Sequence, residues 1–154
     1  MIRKAQPEDI PAILRLLEQV LAVHHAARPD LFRETGTKYS AGDLSQMLNH
    51  TDNPVFVAEE NGELTGYVMC QIRQADGAAQ QPVKTLYVDD LCVSGKHRGR
   101  GIGRQLMEHA REYAREKSCH NLTLHVWEGN PAARAFYDSM GMETQYTCLE
   151  WVLD

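Results

Sequence analysis

A glycine-rich and basic stretch, Val93–Arg104, constrains the fold of this chain most, because it joins a predicted strand to a predicted helix. The preceding residues, Val83–Val93, are rich in apolar and β-branched side chains and predict a long strand. The following residues, Gly101–Ser118, carry apolar side chains at helical spacing, and residues 121–127 then alternate as a strand does. A strand, a helix and a strand in this order predict a βαβ unit with parallel strands.

This stretch has the features of an anion site. Its glycines let the backbone approach a ligand closely, and the free N–H groups of the first helical turn point at that ligand. The helix dipole adds about half a positive charge, so a turn of this kind binds phosphate or pyrophosphate. The alternative is a basic surface loop that only caps the helix. The glycines are Gly99, Gly101 and Gly103, and the basic side chains are Lys96, His97, Arg98, Arg100 and Arg104.

Two segments carry a family resemblance. The order of residues from Arg98 to Gly103 is R-x-x-G-x-G, which is neither a P-loop nor a dinucleotide-binding fingerprint. It resembles the acyl-CoA pyrophosphate loop of the GNAT N-acetyltransferase superfamily. In that family the loop is followed by an Asn, then a helix with a Tyr, then a Gly, and the segment Asn130–Gly141 with Tyr137 inside it looks like this second block. The acidic pair Asp89-Asp90 on the preceding strand is similar to the acidic pair found in diamine acetyltransferases of the same superfamily.

The rest of the pattern agrees with this resemblance, which covers nearly the whole chain. Residues 1–154 are expected to form a single GNAT domain of the α/β class. The family fold implies a mixed, mostly antiparallel sheet of about six to seven strands, splayed at one parallel pair and flanked by about four helices. The predicted strands cover 1–5, 54–59, 63–73, 83–93, 121–127, 142–145 and 146–153, with a hairpin at Asn61-Gly62, and the predicted helices begin at Pro7, Ser40, Gly101 and Pro131.

The resemblance implies acetyl-CoA as co-substrate. In the family the two parallel strands splay beyond a bulge, and the freed backbone binds the pantetheine arm, here at Leu91, Cys92 and Val93. The N–H of Leu91 is the expected oxyanion donor, and Cys92 is interpreted as a packed strand residue, not a nucleophile. The other residues expected to bind the co-substrate are Arg98, Gly99, Arg100, Gly101, Ile102, Gly103, Arg104 and Asn130.

The resemblance also suggests the residues that do the chemistry. Tyr137 matches the family's tyrosine near the CoA sulfur, where an acid would protonate the leaving thiolate; otherwise it is an aromatic packed beside Phe136. Asp89 is the predicted base because it shares strand parity with Leu91 and Val93, although a bulge would exchange its role with that of Asp90. Glu128 and water are the other candidates for the base, and the alternative for Asp89 is a solvated or ion-paired acid.

The acceptor wall of this family comes from the first helix, the loop after it and the hairpin strands, and here the helix and the loop supply the candidate residues. That segment is irregular here and rich in polar and aromatic groups, which suits a region that selects the substrate. Each of these residues taken singly is also an ordinary loop or helix-end residue. They are His24, His25, Arg28, Asp30, Phe32 and Tyr39.

Composition argues against nucleic-acid binding, disulfides, metal sites and membrane spans. The net charge of 16 − 21 = −5 argues against nucleic acid as a partner and favours a cationic substrate. The four cysteines lack C-x-x-C spacing and the histidines form no metal motif, so neither disulfides nor a metal site is expected. No apolar run is long enough to span a membrane, and the N-terminus has no signal-peptide core, so a cytoplasmic protein is expected.

These observations predict an N-acetyltransferase that acts on a primary amine by direct attack in a ternary complex. The acceptor is expected to be a small cationic amine, with a protein N-terminus or a lysine as the alternative. A non-catalytic CoA-binding sensor on the same fold, or a small nucleic-acid binder, are the competing functions. A homodimer is expected by analogy with other small GNAT domains.

Overall fold

The computed structural model describes residues 1–153, which form one mixed sheet with helices on both of its faces. The α/β class and the βαβ unit are as predicted. The strands are β1 (Ile2–Lys4), β2 (Val55–Glu60), β3 (Glu63–Gln74), β4 (Lys84–Val93) and β5 (Asn121–Leu124). The helices are α1 (Ile10–Ala27), α2 (Ala41–Leu48), α3 (Ile102–Glu116) and α4 (Pro131–Ser139), with short 3₁₀ turns at Pro7–Asp9 and Gly95–His97.

The strands lie in the order β1-β2-β3-β4-β5, so sequence neighbours are also neighbours in the sheet. The pairs are antiparallel except β4 and β5, which run parallel on either side of the α3 crossover. The hairpin between β2 and β3 turns at Asn61 and Gly62, with φ of 52° and 78°. This confirms the predicted Asn-Gly turn, because both central residues of such a turn need positive φ.

The expectation of six to seven strands is wrong: the described residues form five. The missing elements are the two strands predicted over 142–145 and 146–153, where residues 142–153 carry no strand assignment. The side chains of Leu149 and Trp151 are 88% and 90% exposed there. A period-two apolar pattern favours a strand only where a neighbouring strand accepts its hydrogen bonds, and within residues 1–153 this segment has none.

Two apolar cores lie on opposite faces of the sheet. Under α3, Leu106 and Ala110 pack against Val68 and Leu86 of the sheet. Under α1 and α2, a second core contains Ile13, Leu17 and Leu44 from the helices and Tyr67 and Met69 from β3. Successive residues of β3 therefore alternate between the cores, as a strand buried on both faces requires.

A β-bulge interrupts β4 at Asp89. Met69 of β3 lies opposite Asp90, while the next residue, Cys70, lies opposite Val88, so Asp89 is the extra residue. Pairing of β4 with β5 ends at the same place, with Val88 opposite Leu124. The parallel pair thus separates beyond a bulge in its first strand, as the resemblance implied. Five residues of β4, 89–93, extend past the last pair with β5.

Candidate active site

The loop between β4 and α3 presents open backbone. Gly99 and Gly101 have φ of 81° and 79°, a left-handed conformation that side-chain-bearing residues rarely adopt. Gly101 is the N-cap of α3, and no side chain of the described residues caps that helix end. The first N–H groups of α3 are therefore open to an anion. A Cβ atom built on Gly99 or Gly101 would meet no atom of residues 1–153 within 4 Å, so there is space above the loop.

The basic side chains around this loop make only long contacts with neighbouring groups. Arg100 approaches Glu60 at 3.4 Å, Arg104 the main-chain oxygen of Ser139 at 3.4 Å, and Lys96 Glu63 at 3.5 Å. Long contacts between exposed groups contribute little to stability. These cations can therefore turn to a phosphate at small cost. Arg98 is exposed as well, with its Nε 3.5 Å from the main-chain oxygen of Val93.

The two segments that carried the family resemblance meet in space. A Cβ atom on Gly103 would lie 3.4 Å from the Phe136 ring and 3.6 Å from a methyl group of Val93. The start of α3, the end of β4 and the middle of α4 therefore converge, and a Cβ atom at position 103 would be in ordinary van der Waals contact with its neighbours. The rings of Phe136 and Tyr137 lie edge to face with centroids 5.1 Å apart.

Tyr137 projects from α4 into a mostly buried environment. Asn130 begins this helix by accepting a hydrogen bond from the Ala133 N–H at 3.2 Å, so its side-chain oxygen acts as a cap. Burial, together with the negative charge of Asp90, raises the pKa of Tyr137 to about 12. The phenol is therefore neutral over the physiological range and retains a proton that it can donate.

The carboxylate of Asp89 is held by two side chains of the loop between α1 and α2. The Tyr39 hydroxyl donates to its Oδ2 at 2.5 Å, and the Lys38 ammonium lies 2.9 Å from its Oδ1. The Asp89 side chain is only 8% exposed. These contacts fix the carboxylate of the bulged residue at the point where β4 separates from β5.

Asp90 lies on the same face of the sheet. The Tyr67 hydroxyl donates to its Oδ2 at 2.9 Å, and burial raises the pKa of this carboxyl above its ordinary value. The parity argument that paired Asp89 with Leu91 and Val93 is wrong, because both apolar residues pack against the α3 core. The bulge reverses the alternation at this point, so the two acids share a face that Leu91 does not.

Glu128, the third acid considered, lies apart from this pair. It is exposed in the loop between β5 and α4. Of the three acids, only Asp90 affects the pKa of Tyr137, whose ring packs against the α3 core, and Glu128 stays at the surface.

Comparison with known proteins agrees with this geometry. A model of the acetyltransferase (GNAT) family matches residues 18–142. The chain belongs to this family. It is 30% identical over 146 residues to the 5-NmdU N-acetyltransferase of Pseudomonas phage PaMx11, covering 92% of this chain and 85% of that one. It spans only 50% of the length of an uncharacterized N-acetyltransferase from Methanocaldococcus jannaschii, at 28% identity over 75% of this chain.

Solved structures share the fold. A mutant of the BH1408 protein from Bacillus halodurans superposes with a TM-score of 0.95 at 30% identity, covering 99% of both chains. The aminoglycoside N-acetyltransferase AAC(6')-Iy in complex with CoA superposes with a TM-score of 0.75 at 15% identity, covering 99% of this chain and 93% of that one. The family model and the relatives named N-acetyltransferases identify the chain as an N-acetyltransferase of the GNAT family.

In this GNAT protein the cysteine of the splayed strand lies inside the core. Cys92 is buried under α1, and its Sγ lies 3.7 Å from the main-chain oxygen of Leu16. Burial raises the pKa of this thiol to about 12, with a smaller contribution from Asp90. Because the thiolate is the nucleophilic form, this environment opposes an acyl-cysteine route.

The expected acceptor wall of the GNAT domain is aromatic. His24 stacks on Phe32 with ring centroids 4.9 Å apart, and Phe32 meets Trp127 edge-on at 5.3 Å. His25 shares a hydrogen bond of 2.8 Å with the main-chain oxygen of Phe32, which fixes the loop on α1. Arg28 is paired with Asp30 and with Glu150. Burial lowers the pKa of His24, so the ring is neutral at physiological pH.

Sequence reasoning missed part of this wall. Trp127 follows β5 and reaches the loop after α1, a contact between distant segments that no local pattern signals. A second set also escaped notice: His125 lies 3.2 Å from the hydroxyls of both Tyr87 and Tyr146. The sequence signal for both sets was the period-two pattern of residues 121–127, which puts His125 and Trp127 on the same face of the predicted strand.

Among residues 1–153, no group of three His, Cys, Asp or Glu side chains is arranged to hold a metal ion. None of the helices in the same range has the length and apolar character needed to cross a bilayer.

Proposed function

We propose that this protein transfers the acetyl group of acetyl-CoA to a small cationic primary amine by direct attack in a ternary complex. The observation that carries the proposal is the contact between Lys38 and Asp89, in which a primary ammonium lies on a carboxylate at the bulge of β4. The same carboxylate can hold the ammonium of an acceptor. The net charge of −5 also favours the approach of cations.

The residues present fit acetyl-CoA as co-substrate. The open N–H groups at the start of α3 and the loose arginines suit a pyrophosphate. The β4 backbone from Leu91 to Val93, beyond the last pair with β5, suits the amides of pantetheine, which would bind as an added strand does. The proposed binding residues are Leu91, Cys92, Val93, Arg98, Gly99, Arg100, Gly101, Ile102, Gly103, Arg104 and Asn130.

The proposed chemistry assigns one task to each group. Asp89 takes a proton from the acceptor ammonium, and the neutral amine then attacks the thioester carbonyl, forming the C–N bond while the C–S bond breaks. The Leu91 N–H donates a hydrogen bond to the carbonyl oxygen as negative charge develops there. Tyr137 gives its proton to the leaving sulfur. The amine loses two protons in all: one leaves through Asp89 to solvent, and the other restores the proton that Tyr137 gave.

A panel of amines tests the proposal. Purified protein is mixed with acetyl-CoA and with small diamines, neutral amines, acidic amino acids or lysine peptides, and free CoA thiol is measured. Small cationic amines are expected to give the largest kcat/KM. Release of thiol with peptides alone would make the protein a protein acetyltransferase. Saturable binding of acetyl-CoA with no acceptor in the panel would support the non-catalytic sensor instead.

We also propose that two copies of this chain associate through the C-terminal segment 146–153. Its large side chains are 65–90% exposed, and together they offer on the order of 700 Å² of apolar surface per chain. A standard interface buries about 600–1,000 Å² per partner, so this surface is sufficient for a two-fold dimer in which the same patch faces itself. The exposed apolar residues are Tyr146, Leu149, Trp151, Val152 and Leu153.

Light scattering coupled to size exclusion tests this association. The wild-type protein is expected to elute as a dimer and Trp151→Glu as a folded monomer with an unchanged circular dichroism spectrum. Val23→Glu is the matched control, because Val23 is an exposed apolar residue outside the segment. A wild-type protein that is monomeric at all measured concentrations would refute the proposal.

A further inference from the structure

Lys38 carries a primary amine into the candidate active site. Its side chain extends from the loop between α1 and α2 to the bulge of β4, where Nζ lies 2.9 Å from Oδ1 and 3.3 Å from the main-chain oxygen of Asp89. The side chain is 48% exposed and therefore free to change rotamer. Tyr39 holds the other carboxylate oxygen, so the acid keeps its position when Lys38 moves.

The Lys38 amine lies at Asp89, two residues before Leu91, whose N–H is the expected donor to the reacting carbonyl. Asp89 and Leu91 are two residues apart, about 7 Å along a strand. Attack requires about 3–3.5 Å between nitrogen and carbonyl carbon. A lysine amine on a flexible four-carbon stem can cover the difference by rotamer changes.

We propose that Lys38 is an acetyl acceptor of its own chain when no other amine occupies the site. The inference rests on the proposed function, since it uses the same donor and the same base. Asp89 removes one proton from the Lys38 ammonium, Nζ attacks the thioester carbonyl, and the C–N bond forms as the C–S bond breaks. The products are Nε-acetyl-Lys38, CoA thiol and one proton released to solvent.

The other four lysines lack this environment. Lys96 contacts Glu63 at 3.5 Å on the surface, and Lys117 lies over the ring of Tyr113 at 5.5 Å near the end of α3. Acetylation of Lys38 removes its charge and with it the ion pair with Asp89. An external cationic amine that binds Asp89 competes with Lys38 and should slow the modification. The remaining lysines, Lys4, Lys84, Lys96 and Lys117, serve as internal references.

Peptide mass mapping tests the proposal. Purified protein is incubated with acetyl-CoA and no added amine, and the acetylated fraction of each lysine is followed in time. Lys38 is expected to react at least about tenfold faster than Lys117, at a rate per molecule that does not depend on protein concentration, because transfer within one chain gains from proximity. Asp89→Asn should slow the modification, and Lys38→Arg should abolish it while Lys117→Arg leaves it unchanged.

Two results would overturn the proposal while leaving the proposed function intact. In one, an added amine is acetylated but Lys38 reacts no faster than Lys117. In the other, the rate at Lys38 rises in proportion to protein concentration, which indicates transfer between molecules. Absence of acetyl transfer both to Lys38 and to every amine in the panel would instead refute the proposed function and this inference with it.

Discussion

Asp89 and Asp90 are adjacent in β4, yet both carboxylates lie on the face of the sheet that α1 and α2 cover. Asp89 contacts Lys38 and Tyr39 from the loop between these helices, and Asp90 contacts Tyr67, whose ring belongs to the same core. The bulge at Asp89 causes this arrangement, because an extra residue cancels the usual alternation. A buried pair of acids on one face suits a site that binds and deprotonates a cation.

Replacing the proposed base should slow the reaction most at neutral pH. An acceptor ammonium has a pKa of about 10, so it needs a base at pH 7 but is already partly neutral at higher pH. We expect Asp89→Asn to lower kcat/KM by about 10²-fold at pH 7 and to recover part of it near pH 10. The measurement is a pH profile of kcat/KM for one amine.

The same profile for two other acids serves as the control. Asp90→Asn is expected to have a smaller effect than Asp89→Asn, and Glu128→Gln is expected to have none. If Asp90→Asn alone is impaired, the base is assigned one residue too early while the mechanism stands. Normal rates in all three variants would leave deprotonation to water or to the acceptor's own equilibrium.

Asp90 should make the fold more stable in acid than at neutral pH. Burial raises its pKa in the folded state, so the protonated form is favoured there. This contribution is complete below the pKa of the unfolded chain, about 3.9, and is lost as pH rises through the higher folded value. Asp90→Asn imitates the protonated acid and still accepts the bond from Tyr67.

Thermal unfolding at two pH values tests this effect. We expect Asp90→Asn to raise the melting temperature at pH 7, and the advantage to shrink towards pH 4. Asp52→Asn, at an exposed acid, is the control and should not show this trend. A variant less stable than wild type at pH 7 would show that the ionised carboxylate is the stabilising form.

The sequence predicted the parts of the fold that depend on local chemistry. The Asn61-Gly62 turn, the start of α2 near Ser40 and the glycine loop before α3 are local signals, and each lies where it was expected. The last two strands were not predictable in the same way. Their apolar alternation is present over 146–153, but a strand also needs a partner, which a pattern along one chain does not reveal.

The site depends on contacts that the sequence does not encode locally. Adjacent acids normally point to opposite faces, and only the register of β3 against β4 shows that Asp89 is the bulged residue. Trp127 and Phe32 are 95 positions apart in the numbering (127 − 32) and meet because β5 ends beside the loop after α1. Motif spacing therefore predicted the position of the glycine loop before α3, but not the contact between Phe32 and Trp127.

A bulky side chain at Gly101 should weaken acetyl-CoA binding. The residue has φ of 79° and open space above it, in the place where we expect the pyrophosphate. Gly101→Trp is expected to lower affinity by at least about tenfold, as measured by calorimetry, because the ring blocks the N–H groups of α3. Gly36→Trp is the control, since Gly36 also has positive φ and open surroundings. Equal affinities in folded Gly101→Trp and wild type would refute this assignment of the loop.

Removing the Tyr137 hydroxyl should affect turnover more than binding. Tyr137→Phe keeps the ring against Phe136 and removes only the proposed proton donor. We expect kcat to fall by about 10²-fold while the Kd for acetyl-CoA stays within a factor of about two. Tyr113→Phe removes a hydroxyl from α3 and should leave kcat unchanged. Unaltered kcat in Tyr137→Phe, with chemistry shown to be rate-limiting, would exclude it as the acid.

Phe32 should determine how tightly the amine binds. Its ring lies between His24 and Trp127, and a cation beside such rings gains about 0.5–2 kcal/mol. Phe32→Ala removes the central ring and is therefore expected to raise the KM for a cationic amine by about tenfold, with the Kd for acetyl-CoA unchanged. The neutral state of His24 contributes to the same preference, because a protonated ring would repel the acceptor. The KM should accordingly rise further as pH falls through the lowered pKa of His24.

Leu31→Ala is the matched control for Phe32→Ala, because Leu31 is the neighbouring residue of the same loop and is 52% exposed. An equal rise in KM in both variants would point to a general loosening of the loop, and no rise in either would place the acceptor elsewhere.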